Sequence, residues 1–469
     1  MDDHKKGNQP HAAGRDHIDQ LSSLYGMTPK VEVAVIAALA EGHTRRVRAL
    51  VSPLHPADQA DLIERLNTPQ RKRLLVMMAP VLDPDTLTYL DDDLLEDALE
   101  SIGAKKAAEA IVEMDSDDAI DIIEELDDEE RDMLLASLPA AERLIVEEGL
   151  SYPEDSAGRM MQREVVVAPA HWTVGQTIDF MRGEDDLPEE FYAIIIIDPA
   201  RRVLGHVRLS LLLSQQRPVR LSEIMESSSH QIPVTMDQEE VAILFRRYAL
   251  VSASVIDDQG RLVGVITVDD VVEVIDEEAE EDLMALAGVS DVSIRSTLAE
   301  TLQARFSWLM VNLLTAIAAS VVISFFEDAI ERIVALAVLM PIVASMGGNA
   351  GTQTVTVAVR ALALRQLSRS TVMGFVLREL SVGVINGGIF AVTAGLVSYF
   401  WFGDMSVALV MAVAMMANLI IAGVSGTAIP LTLSRFGVDP AVASSVFITT
   451  VTDVIGFLTF LGLAALFLL

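Results

Sequence analysis

The chain has 469 residues, 51% of them apolar, with 34 basic and 68 acidic side chains, a net charge of −34 and no cysteine. The missing thiols exclude disulfides and thiolate metal centres, and so acidic a chain repels nucleic acid and favours cationic partners, divalent ions included. Residues 301–469 carry seven basic and seven acidic side chains, so the whole acid excess falls in residues 1–300. An acidic, polar region is therefore joined to a neutral, apolar one.

Met1–Pro10 is polar and does not read as a secretory signal, which places the acidic region in the cytosol. Residues 1–28 read as a disordered tail. Residues 29–155 read as an all-α helical superhelix. Within it "ADLIERLNTPQRKRLL" (Ala60–Leu75) aligns without gaps to "IDIIEELDDEERDMLL" (Ile120–Leu135), and each reads as helix, short turn, helix. The acids of this region, Asp117, Asp118 and Asp121 among them, are few-lysine neighbours. They form either a solvated face or a surface for divalent cations.

Residues 156–270 change character. Short β-type runs, "EVVVA", "YAIIIID", "SASVIDD" and "LVGVITV", alternate with helix-like segments such as "VGQTIDFM" and "DQEEVAILFRRY". "IIIIDPARRVLGHVRLSLLL" aligns with "SVIDDQGRLVGVITVDDVVEV", so the α/β unit occurs twice. Residues 271–303 then read as a connecting helix too charged to span a membrane, in which Glu273, Glu278, Glu281 and Asp282 crowd together with Asp270 just before it. Carboxylates so close repel one another unless counter-ions sit among them.

Residues 304–469 hold five nearly uncharged stretches, Phe306–Phe326, Ile333–Val359, Leu380–Phe402, Met405–Leu433 and Ala441–Leu469. Each is long enough to cross a bilayer as a helix, which takes about 20 residues. Arg295, Arg305, Arg360, Arg365, Arg369 and Arg435 fall on one side. Glu327, Asp328, Glu331 and Asp404 fall on the other, with Arg332 as the one base there. The positive-inside rule then predicts a multi-pass protein of the plasma or inner membrane, N-terminus cytoplasmic and C-terminus outside. Trp308 and Tyr399–Phe402 fall where interface aromatics are expected.

Two spans carry polar residues. The second contains "MPIVASMGGNAGTQTVTV". Pro341 removes a backbone donor, and Asn349, Thr352, Gln353 and Thr356 are polar. Gly347 and Gly351 form a G-x-x-x-G that would also suit close helix packing. Packing and a pore lining are both open on the residues alone. The fifth span holds Asp453, with Ser445, Thr449 and Thr452 at helical spacings from it. A carboxylate at that depth costs on the order of 3 kcal/mol, so an ion pathway is the first reading, and an ion pair with Arg378 the second. Arg378 and Glu379 are also expected to satisfy each other, leaving no second buried acid for a proton relay.

The tandem α/β unit resembles a pair of CBS domains. Its second copy has Thr267-Val-Asp-Asp270, similar to that family's ribose-contacting T-x-x-D, whereas the first has Arg208-Leu-Ser-Leu211 and lacks the acid. The whole chain resembles the MgtE family of magnesium channels in its order of parts. The most specific features are Pro341 with Gly347-Gly-Asn-Ala-Gly-Thr-Gln353, and Asp453. The resemblance implies a homodimer in the lipid bilayer, with a pore along its two-fold axis lined by the second and fifth spans. It implies Mg²⁺ as substrate and as regulator, and no enzymatic activity. It also implies a hydrated ion held beside Asp453, Gly348, Thr352, Thr356 and Thr449, with Pro341, Asn349, Gln353 and Ser445 lining the path. Cytosolic Mg²⁺ on Asp270, Glu273, Glu278, Glu281, Asp282, Asp117, Asp118 and Asp121 would close the channel, and ATP would meet Thr267 and Asp270. A proton-coupled cation transporter and a non-transporting magnesium or nucleotide sensor are the alternatives.

Overall fold

The computed structural model describes residues 27–469 except 185–186, 189, 228–229, 290–297 and 368–369, with the backbone alone at 300 and 442–445. The expected tail up to residue 26, Arg295, Arg369 and the side chain of Ser445 lie outside the described residues. The chain divides into two units, residues 1–275 and 276–469.

The first unit opens with helices α1 (Pro29–Glu41), α2 (Thr44–Val51), α3 (Pro56–Arg65), α4 (Thr68–Met78), α5 (Asp92–Ile102), α6 (Ala104–Glu113), α7 (Ser116–Glu124), α8 (Asp128–Ser137) and α9 (Ala140–Leu150). The sequence repeat is a repeat of hydrogen bonding. The Asn67 side chain caps α4 by accepting from the Gln70 N–H at 3.1 Å, and Asp127 caps α8 by accepting from Glu130 at 2.8 Å. Arg71 donates to the carbonyls of Ile63 and Leu66, and Arg131 to those of Ile123, Glu124 and Leu126. Each arginine thus satisfies the orphan carbonyls that end the preceding helix. Leu39, Leu62, Ile63, Leu75, Ile122 and Ile123 belong to one continuous core.

Next come β1 (Val167–Pro169), α10 (Val174–Gly183), β2 (Ala193–Ile197), β3 (Val203–Arg208), α11 (Leu209–Ser214), α12 (Leu221–Ile224), β4 (Gln231–Pro233), α13 (Gln238–Tyr248), β5 (Ser252–Ile256) and β6 (Leu262–Thr267). They form two three-stranded sheets, ordered β1-β2-β3 and β4-β5-β6. In each the first pair is parallel and the second antiparallel. A parallel pair needs a crossover, which α10 and α13 provide. Both sheets shift register at the same place, Ile196/Ile197 and Val255/Ile256. Both are followed by an Asp turn: Asp198 accepts from the N–H groups of Ala200 and Arg202, and Asp257 from those of Gln259 and Arg261. The two copies are one fold despite their different last motifs.

The acidic helix α14 (Val268–Ala287) leaves β6 directly, starting at Val268 rather than Val271. The second unit continues with α15 (Leu298–Ser324), a short α16 (Glu327–Arg332), α17 (Ala335–Ala363), α18 (Val372–Phe402), α19 (Met405–Arg435) and α20 (Pro440–Phe467). Five of these are long and apolar enough to cross a membrane. The third begins at Val372 rather than Leu380, so Arg378 and Glu379 lie inside it. They do not pair with each other. Successive helical residues point about 100° apart, and Glu379 turns into the bundle at 8% exposure while Arg378 faces out. The span therefore does contain a second buried acid.

Helix α19 is the central element, burying Met411, Ala414, Met415, Asn418, Leu419, Ala422 and Thr427. Glycines let α18 approach it closely. A Cβ at Gly383 would lie 3.1 Å from the Leu419 carbonyl oxygen, and one at Gly387 3.2 Å from that of Met416. Close backbone approach of this kind drives helix association where water does not.

Candidate ion path and cytosolic acidic site

Helix α17 has two distinct faces. One buries Val343, Gly347, Gly351, Thr354, Val355, Ala358 and Val359. A Cβ at Gly351 would overlap the Ile448 side chain on α20, so the G-x-x-x-G pair is a packing seam. The other face exposes Ser345, Asn349, Thr352, Gln353 and Thr356. Gly348 lies beside them, and a Cβ there would meet open space. The glycine seam and the polar residues of the motif therefore lie on opposite sides of one helix. The Thr352 hydroxyl donates to the Gly348 carbonyl at 3.0 Å, and Thr356 to the Thr352 carbonyl at 2.9 Å. Their protons are thus directed to the backbone, which leaves hydroxyl lone pairs for a cation or its water. Pro341 sits inside the helix and denies a donor to the carbonyl one turn earlier.

On α20, Thr449 is exposed and Asp453 half-buried, one turn apart on one face. No basic side chain of the described residues pairs with Asp453, so the expected ion pair with Arg378 does not form. Thr452 departs from the expected stripe. It is fully buried and donates to the carbonyls of Ile448 and Thr449.

The second site lies in the first unit. The start of α7 is stitched to the segment before β1. Ser116 Oγ donates to Glu164 Oε2 at 2.8 Å, the Arg163 N–H donates to Ser116 Oγ at 2.7 Å, and Gln162 Nε2 donates to Asp115 Oδ2 at 3.3 Å. Arg159 pairs with Glu124, and Arg163 with Glu148 at 3.3 Å. This contact brings Asp115, Asp117 and Asp118 to the start of α14.

Electrostatics record the crowding. Burial, then Asp270, Asp115, Asp85 and Glu273, push the Asp118 carboxyl up to about 8. Burial, then Glu164, Asp270, Asp85 and Asp269, push Asp115 up to about 6. Burial and the charges of Asp270, Asp118 and Asp115 hold Asp117 well above the usual carboxylate range. Asp270 is raised by burial, against the bonds it accepts from Thr267. Asp117 Oδ2 is buried without a hydrogen-bond partner, the oxygen a cation would satisfy. No three such side chains converge on one point among the described residues.

Of the expected regulatory acids, Asp117, Asp118, Asp270 and Glu273 come together here. Asp121 is exposed on the next turn of α7. Asp115, one of the acids of the helical region, joins the group together with Asp85 and Asp269, and Tyr89 is raised by burial and then by charges of the same group. On α14 beyond Ile275, Asp282 is raised by burial, then by Asp439 and Glu281. Asp439 caps α20 by accepting from the Ala441 N–H at 2.8 Å. Ala285 packs with Val355, Val359, Ala441 and Ile448. Glu281 is exposed and Glu278 partly so. At the second CBS copy, Thr267 Oγ1 donates to Asp270 Oδ2 at 2.7 Å.

An acidic α-helical region, a tandem CBS module and a five-span membrane unit with a polar stripe define a multi-pass transporter of divalent cations. Residues 340–463 match the model of the MgtE divalent cation transporter domain, residues 54–155 that of the MgtE intracellular N domain, and residues 221–277 that of the CBS domain. The chain is 31% identical over 435 residues to the magnesium transporter MgtE of Bacillus subtilis, covering 92% of this chain and 96% of that one. It is 31% identical over 449 residues to the magnesium transporter MgtE of Thermus thermophilus, covering 94% and 99%. A solved structure of the cytosolic domain of the Mg²⁺ channel MgtE in complex with ATP is 30% identical, with a TM-score of 0.49 over 52% of this chain and 99% of that one. The chain belongs to the MgtE family of magnesium transporters, and it is a transporter rather than an enzyme.

Proposed function

We propose that this magnesium transporter is a homodimeric channel whose ion path runs between the second and fifth spans. Asp453, Gly348, Thr352, Thr356 and Thr449 hold the hydrated ion, with Pro341, Asn349, Gln353 and Ser445 lining the way. The observations that carry the reading are the polar, exposed stripe of α17 and, on α20, a half-buried Asp453 with no basic partner among the described residues. A polar stripe at membrane depth needs water or protein against it, and a second copy of the chain supplies both. Two facing Asp453 carboxylates then match the charge of one divalent ion. The N-terminus is cytoplasmic and Leu469 outside, from the arginine distribution.

Cytosolic Mg²⁺ closes the channel by neutralising Asp117, Asp118, Asp121, Asp270 and Glu273, and Glu278, Glu281 and Asp282 further along α14. The Asp117, Asp118 and Asp270 carboxyls, raised first by burial and then by neighbouring carboxylates, support this. ATP binds weakly at Thr267 and Asp270 of the second CBS copy. A proton-coupled carrier is the second reading, favoured by the buried Glu379. The deciding experiment is Mg²⁺ flux into dye-loaded liposomes by Asp453→Asn, which keeps the shape and removes the charge. Flux falls at least about tenfold, as expected for losing a charged ligand, while the folded yield is kept. Normal flux by the well-folded variant refutes the ion path, and flux that follows an imposed pH gradient favours the carrier.

A further inference from the structure

Asn418 lies near the middle of α19 and is fully buried. Neither the ion path nor the cytosolic site uses it, and its position in an apolar run drew no notice in the sequence. Its Nδ2 donates to the Val343 carbonyl on α17 at 2.8 Å. Its Oδ1 is buried and has no hydrogen-bond partner. Two glycines make room for this amide. A Cβ at Gly347 on α17 would overlap it, and a Cβ at Gly456 on α20 would lie 2.9 Å from Nδ2 and 3.1 Å from Oδ1. One side chain thus fills a notch cut into both helices that carry the candidate ion ligands. Gly347 adjoins Gly348, and Gly456 is one turn beyond Asp453.

An amide is a poor filler for such a notch. Its unpaired oxygen disfavours the fold, where an apolar side chain would leave no polar atom unsatisfied. What the amide adds is direction. Glycine seams hold helices close but let them slide and rotate, whereas an interhelical hydrogen bond specifies one axial register. Each residue of register is about 1.5 Å of travel along a helix. A site that selects a hydrated ion by size depends on separations finer than that.

We propose that Asn418 is a positioning residue for transport. It bonds the fourth span to the second through the Val343 carbonyl and seats the fifth against the same amide at Gly456, so that Gly348, Thr352 and Asp453 meet the ion at a fixed separation. The proposal rests on the ion path described above.

The test uses the full chain in liposomes. Flux is measured against Mg²⁺ concentration, and again with Ca²⁺ as competitor, for Asn418→Ala and for Gly456→Ala, which presses on the same amide from α20. Asp453→Asn is run in parallel, and folded protein is quantified for each. The expected result is a rise of about fivefold in half-saturating Mg²⁺, or the same loss of discrimination against Ca²⁺, the size of one ordinary hydrogen bond. Should Asn418→Ala fail to fold, Gly456→Ala carries the test alone. Unchanged half-saturation and discrimination, with flux falling only as folded protein falls, would make Asn418 a packing residue and overturn the proposal. If Asp453→Asn abolishes flux in that case, the ion path survives and only the positioning role is lost. If Asp453→Asn conducts normally, both fall.

Discussion

Asp118 offers a direct measure of how the acidic site works. Its carboxyl is pushed from 3.8 to about 8 by burial and by Asp270, Asp115, Asp85 and Glu273. A carboxylate whose pKa is higher in the docked arrangement holds its proton there and loses it in the open one. Docking is then favoured below the docked value and weakens as pH rises through it. The upper bound from this displacement is on the order of 5 kcal/mol, at about 1.4 kcal/mol per pH unit. Even a quarter of that is about a tenfold change in the docking equilibrium. Without divalent cations, the helical region and the CBS module should therefore stay together near pH 6 and separate by about pH 9. Mg²⁺ replaces the proton as counter-charge, so it should remove the pH dependence. Asp118→Asn should flatten the metal-free curve and lessen the effect of Mg²⁺. The chain has no cysteine, so spin labels on Val33→Cys and Val251→Cys, both exposed, report the distance directly. A metal-free distance that does not change between about pH 6 and pH 9, or that shortens as pH rises, would refute the reasoning.

Neutralising Glu278, Glu281 and Asp282 together should raise the cytosolic Mg²⁺ needed to close the channel in patch recordings by about tenfold, one or two weak ion sites being lost. Closure at the parent's concentration would show these acids to be a solvated face. ATP should bind the full chain weakly, and more tightly with Mg²⁺ than without, because the acids around Asp270 repel a free triphosphate. Calorimetry that detects no heat at millimolar ATP, or equal binding by Asp270→Ala, removes the nucleotide site.

The sequence by itself determined the division into an acidic region and five apolar spans, the helical repeat and the paired α/β units. These follow from hydropathy, period and spacing, which are properties of short stretches of chain. Asp453 was legible for the same reason, as a lone carboxylate in an apolar run. Arg71 and Arg131 show how far a repeat can be trusted: aligned residues make the same bonds. Which face of α17 is which could not be read, because Gly347 and Asn349 are near neighbours in sequence and only α19 and α20 decide which is covered. Tertiary packing likewise turned Thr452 and Glu379 inward, away from the partners their spacing suggested. It also brought Asp85 and Asp115 to Asp270 across a long stretch of chain. Asn418 is the clearest case. In sequence it is one amide in an apolar helix. Its role exists only because two glycines from distant helices meet around it, and such a meeting is a property of the packed bundle.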